Sequence, residues 1–291
     1  MERCQEVTFG LSVVRTDKWL NWYLQDHSNF RQSKDSIQVQ KRFFVEPLVK
    51  WFDEDFKDSL HSFLLEQGLF APKESRLAEL KKLAEQSIWQ DVQECFVRIK
   101  ARWNGPDVPI YILPVDPDIA EPTKKAGLSF PFAVILFIGT HLTKAEIEAL
   151  FIHEYHHTVR LSHTNRTEDN ITFLESMYME GLAECAVLEM VGSSQLAHWT
   201  SLYKDTWKPK WVEKWIVPNL DLIGRSKHRK YLYGQHRLTI PPMLGYYFGY
   251  QLARTSCMLR PDRDIADWLA FTGDECEKWL KEVIKSMTAV E

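Results

Sequence analysis

Between Ser75 and Trp103 apolar side chains recur three and four positions apart (Leu77, Leu80, Leu83, Ile88, Val92, Cys95, Phe96, Ile99), the period that gathers side chains on one face of an α-helix. On this ground the whole stretch from about Asp17 to Trp103 is predicted to be helical, with Gly105 and Pro106 closing it. Two runs rich in β-branched and aromatic residues follow, Val108 to Leu113 and Ala133 to Ile138. They read as strands separated by a Pro-rich turn region. Thr143 and Glu146 then have the spacing of a capping box, so a helix is expected from there to about Leu161. After the polar stretch Ser162 to Asn170, a second long helix is expected from Ile171 to Val191, ended by Gly192 in the position that favours a left-handed backbone. A Trp-rich basic segment (Trp199 to Arg237), a helix from Met243 to Leu259 and an amphipathic stretch near Ile265 to Ile284 complete the pattern. The expected fold is α+β and mainly helical, with an N-terminal helical lobe over 1–104 and a mixed domain over 105–291.

Composition narrows the function classes. A chain of 291 residues with 45% apolar and 26% charged positions has ordinary globular values, which exclude a disordered, collagen-like or rod-like protein. The formal net charge of -4 argues against a chain built to coat nucleic acid. Lys204 to Arg237 does hold nine basic against three acidic residues among several aromatics, but Pro209 and Pro218 interrupt it and the rest of the chain offsets the excess, so no nucleic-acid partner is expected. No apolar run reaches the roughly 18 residues of a membrane span, and the first residues lack the apolar core of a secretory signal. The expected address is cytoplasmic. Cys4, Cys95, Cys185, Cys257 and Cys276 include no CxxC pair, and are read as reduced thiols rather than a disulfide framework or a thiolate zinc site.

One motif carries chemistry. In FIHEYHHTVRLSH, residues His153, Glu154 and His157 match HExxH. Residues four apart on a helix share a face, so two imidazoles can reach one Zn²⁺ at about 2.0–2.1 Å while the intervening Glu points to the metal-bound water. His156 points away around the helix and is expected to be structural. A catalytic zinc also needs a third protein ligand and an open position. His163 has the spacing of the third metzincin histidine, but Arg160 stands where a glycine would let that chain turn. The other candidate is Glu180 in MEGLAE on the next helix, where Gly181 removes a side chain that would hold two backbones apart. Glu184, one turn further on, can accept the free N–H of a ligand imidazole.

The segment IHEYHHTVR followed by EGLAE, and later GYYFGYQLA, resembles the YjaZ-like family of predicted zinc-dependent proteases, which are similar to gluzincins. The resemblance covers roughly Val108 to Arg254. It implies a zincin-like arrangement and a zinc metallopeptidase acting on peptide or protein substrates, with His153, His157 and Glu180 as metal ligands and Glu154 as general base. The spacing of Glu180 and Glu184 is also similar to the ExxxD of thermolysin-like enzymes, whose acid orients a ligand histidine. Zinc peptidases usually aim a Tyr or His donor at the oxyanion of the tetrahedral intermediate. Tyr246 is the first candidate, with Tyr250 one turn away and Tyr233 and His236 behind them. Strand Ala133 to Ile138, just before the HExxH helix, fits either an exposed edge that takes an extended substrate or a buried strand. Two other functions fit the same residues: a zinc-containing binding or regulatory module without turnover, and a zinc hydrolase acting on a non-peptide ester or amide.

Overall fold

The computed structural model describes residues 12–27, 33–52, 54–116, 118, 126–164 and 166–288. It is mainly helical with one small sheet. In chain order the elements are α1 (Thr16–His27), α2 (Ser33–Gln40), α3 (Glu54–Gln67), α4 (Leu77–Ala84), α5 (Ile88–Trp103), β1 (Ile110–Pro114), β2 (Ala126–Phe130), β3 (Ala133–Ile138), α6 (Lys144–Ser162), α7 (Phe173–Met190), α8 (Arg225–Leu232), α9 (Leu244–Leu259), α10 (Ile265–Ala270) and α11 (Gly273–Thr288). The chain forms two compact units: Met1–Ala101 with Asp107–Glu154, and Arg102–Pro106 with Tyr155–Glu291. Helices α5 and α6 each run unbroken from one unit into the other.

In the first unit the sheet has the order β1-β3-β2, with β1 parallel and β2 antiparallel to β3. All six residues of β3 are buried, as expected of a strand covered on both faces. Of the two readings of Ala133 to Ile138, an exposed edge or a buried strand, the structure has the second: β3 is the buried central strand. The outer side of β1 is paired with the chain at Ser12 to Val14, through Ile110 N–H to Ser12 O and Val14 N–H to Ile110 O, both 2.9 Å. The half-buried β2 forms the other edge. Edge-to-face rings of Tyr23, Phe44 and Phe70, with centroids 5.5–5.6 Å apart, pack the helical part. The periodic run from Ser75 to Trp103 divides at Glu85 to Ser87 into α4 and α5. Residues 28–32 and 53 of the expected helical stretch, part of the Pro-rich turn region, and Cys4 lie outside the described residues.

Helix α6 starts as its capping residues predict. The Thr143 N–H donates to Glu146 Oε2 at 2.8 Å and the Glu146 N–H to Thr143 Oγ1 at 3.3 Å, which satisfies two donors the helix cannot satisfy itself.

In the second unit Thr172 Oγ1 caps α7 by accepting the Glu175 N–H at 3.2 Å, and Gly192 follows the helix at φ +109°. Helix α7 packs along α9 with the two backbones touching. A Cβ on Gly181 would stand 2.0 Å from Gly249 O, and one on Gly249 would stand 2.1 Å from Met177 O. Gly181 thus serves the contact with α9, not the approach to the HExxH helix expected of it. Because the obstructing atoms are backbone, Gly181→Ala is expected to cost at least the ~1–3 kcal/mol typical of overpacking, read as a lower urea midpoint. An unchanged midpoint would show that the helices can part at no cost.

Aromatic side chains of the Trp-rich segment pack against α9, while most of its basic residues are exposed. Tyr203 and Trp207 lie against Tyr247 of α9 at 5.3 and 5.1 Å, and Trp207 stacks on Phe248 at 6.0 Å. The last amphipathic stretch is two helices, not one. Gly273 has φ +80°, and the carbonyls of Trp268 and Phe271 at the break turn to the buried guanidinium of Arg160, whose Nη1 donates to them at 2.8 and 3.3 Å. Cys95, Cys185, Cys257 and Cys276 are free thiols. Among the described residues no helix is long and apolar enough to cross a membrane.

Candidate metal centre

The site is built on α6. A regular helix from Lys144 to Ser162 puts His153 and His157 one turn apart on one face. Glu180 lies in α7, whose side chains are buried from Phe173 to Val187. Ligand atoms of His153, His157 and Glu180 all fall within 4.8 Å of one another, and His157 Nε2 is 3.3 Å from Glu180 Oε2. Ligands held tetrahedrally about 2.0–2.1 Å from one ion stand roughly 3.3–3.4 Å apart. The imidazole and carboxylate are therefore already at the spacing of neighbours around a zinc-sized ion, and two nitrogens with one oxygen form a donor set suited to zinc. The cluster can hold a divalent metal.

His163 stands outside this group. Helix α6 continues through Arg160 to Ser162 without the sharp turn a third histidine would need, and His163 follows it exposed, with its N–H on Arg160 O at 3.1 Å. Arg160 faces inward instead, fully buried, in a two-pronged ion pair with Glu175 of α7: Nε to Oε1 is 2.7 Å and Nη2 to Oε2 is 3.0 Å. Burial alone lowers the guanidinium pKa, but Glu175 raises it by more, so the group stays charged. His156 is buried edge-on to Trp103 at 5.7 Å.

Glu154, between the two histidines, is 8% exposed. Its surroundings come from β2, an element absent from the sequence-based expectation. The Ser129 hydroxyl donates to Glu154 Oε2 and lies 2.8 Å from the Glu154 main-chain carbonyl. Two positions earlier, and so on the same face of the strand, a Cβ on Gly127 would stand 2.3 Å from Glu154 Cγ. Only a strand with glycine there lets the carboxylate lie against it.

Two further side chains converge on Glu180 in the second unit. Arg225 Nη2 donates to Glu180 Oε1 at 3.1 Å. Tyr246 of α9 is close enough to sense the same carboxylate: burial first, then Glu180 and Tyr233, push its phenol well above the ordinary value. It is held neutral, with a hydrogen to donate, and in this structure donates it to Tyr233 Oη at 2.9 Å. Tyr250 lies one turn along, between Trp199 and Arg254. Burial, assisted by Cys185, moves it up to about 12. Glu184 Oε2 accepts the Ala197 N–H at 2.8 Å, which ties the chain after α7 back onto that helix. His236 lies exposed in the turn His236–Leu238. Sequence reasoning missed Ser129 and Arg225, since neither belongs to a periodic or motif-bearing stretch.

A family model described as a predicted Zn-dependent protease matches residues 88–287. The chain is also 33% identical over 249 residues to the protein named "Uncharacterized protein YjaZ" of Bacillus subtilis (strain 168), covering 84% of this chain and 90% of that relative. No solved structure matches the chain.

Proposed function

The chain belongs to this family of predicted Zn-dependent proteases, and from that premise we propose that it is a zinc peptidase of the gluzincin type. In this reading His153, His157 and Glu180 hold the metal, Glu154 is the general base, and Glu184 orients a ligand imidazole. The observation that carries the reading is the convergence of two imidazoles and a buried carboxylate on one point beside an acid that is not itself one of the three. Bound zinc would supply the Lewis acid that polarises the scissile carbonyl and makes a water acidic near neutral pH.

The chain's own residues do the rest. The Glu154 carboxylate takes the proton from the attacking water and delivers it to the leaving amine. Ser129, donating to Oε2, holds that carboxylate in one orientation, and the bare Gly127 leaves it room. Tyr246, kept protonated by its burial, donates a hydrogen bond to the oxyanion, with Tyr250 as the second candidate. An extended peptide adds to the sheet at its edge strand β2, since Ala133 to Ile138 is central.

The test is metal content together with cleavage. Purified protein is expected to hold about one zinc per chain and to cut an unfolded protein such as casein. Cleavage should stop on stripping with a chelator and return with stoichiometric zinc. A fully zinc-loaded chain that cuts neither casein nor a peptide library would overturn the peptidase reading.

A further inference from the structure

Glu180 offers two oxygens, and the structure divides them. Oε2 lies 3.3 Å from His157 Nε2, inside the metal cluster, while Oε1 accepts from Arg225 Nη2 at 3.1 Å. The Glu180 side chain is 5% exposed, so its orientation is set by the protein rather than by water. We propose that Arg225 is a positioning residue for the metal: by occupying Oε1 it leaves Glu180 to bind through Oε2 alone.

The consequence is a matter of coordination number. A carboxylate can bind an ion through one oxygen or both. Zinc in a catalytic site needs three protein ligands with one position open, and a second oxygen from Glu180 would crowd that position. A guanidinium donor on Oε1 opposes this, because a charge-assisted hydrogen bond to that oxygen would have to break first. Neighbours of ligands commonly act in this way, fixing orientation and adding to affinity.

The local fold presents Arg225 rigidly. It is the first residue of α8, and its N–H donates to Glu168 O at 2.8 Å. The preceding Gly224, at φ +100°, donates to Ile171 O at 3.0 Å. Three residues on, the buried His228 places Nδ1 3.0 Å from Ser176 Oγ of α7 and Nε2 2.7 Å from Leu222 O. The start of α8 is thus fastened to the start of α7 on both sides of Arg225.

This assignment rests on the zinc reading, and the experiment separates the two. Zinc affinity is measured by competition with a chromophoric chelator for the wild-type chain, Arg225→Met and Arg225→Lys, and each is also loaded with Co²⁺ for its visible spectrum. Arg225→Met should bind zinc about 10–100-fold more weakly. Its cobalt form should absorb less strongly, as a site that gains a ligand leaves tetrahedral geometry. Arg225→Lys, which keeps the charge, should recover most of the affinity and the wild-type spectrum. Circular dichroism of the metal-free chains reports folding separately. A folded Arg225→Met chain with wild-type affinity and spectrum overturns the proposal. A wild-type chain that binds no zinc overturns the reading of the site instead.

Discussion

Glu154→Gln is expected to lower the rate of peptide hydrolysis by about 10²–10⁴-fold, the usual contribution of a positioned general base, while leaving about one zinc per chain. The substitution keeps the side chain's length, so the fit against Gly127 and an acceptor for the Ser129 hydroxyl are both retained; what is lost is basicity. Glu154 is also absent from the three-residue cluster, so the metal should stay. The measurement is kcat/KM on a quenched peptide beside metal analysis of the same sample. Cleavage at the wild-type rate with zinc bound would remove Glu154 from the mechanism.

The largest expected loss of stability comes from Arg160→Ala. Arg160 is wholly buried, forked onto Glu175 and bonded to the carbonyls of Trp268 and Phe271, with its guanidinium over the Tyr178 ring at 5.3 Å. Truncation leaves an unpaired carboxylate and two carbonyls without their donor, which costs about 3–5 kcal/mol when a buried pair is broken. That is a large share of the roughly 5–15 kcal/mol by which domains are stable. Replacing both partners, Arg160→Met with Glu175→Met, should return most of the loss, since an apolar pair of similar volume has no charge to desolvate. Urea unfolding of the single and double variants decides it. A loss below about 1 kcal/mol in the single variant would mean that water or another cation takes the place of the guanidinium.

How much could be read beforehand depended on whether the cause was local. The start of α6 is written in Thr143 and Glu146, and the end of α7 in Gly192, because caps act within a turn. The spacing of His153 and His157 needs nothing beyond helix geometry. Strand β2 was hidden because Ala126 to Phe130 is AGLSF, short of β-branched residues; its pairing with the strongly apolar β3 makes it a strand, a tertiary effect that propensity does not contain. Ser129 and Gly127 were hidden with it. Arg225 stands 45 positions from Glu180 in sequence, in a segment whose basic residues looked alike until the fold singled one out. The last helix pair reads as a single amphipathic stretch in sequence, and the partner that the Trp268 and Phe271 carbonyls find at its break, Arg160, stands more than a hundred residues earlier.

The bare contact between Gly181 and Gly249 also limits how the protein can respond to an arriving peptide. The contact leaves no room for a side chain between α7 and α9 at these two positions. Glu180 rides on one of these helices and Tyr246 on the other. An induced fit that parted or turned the two helices would break this contact and move Glu180 away from Tyr246.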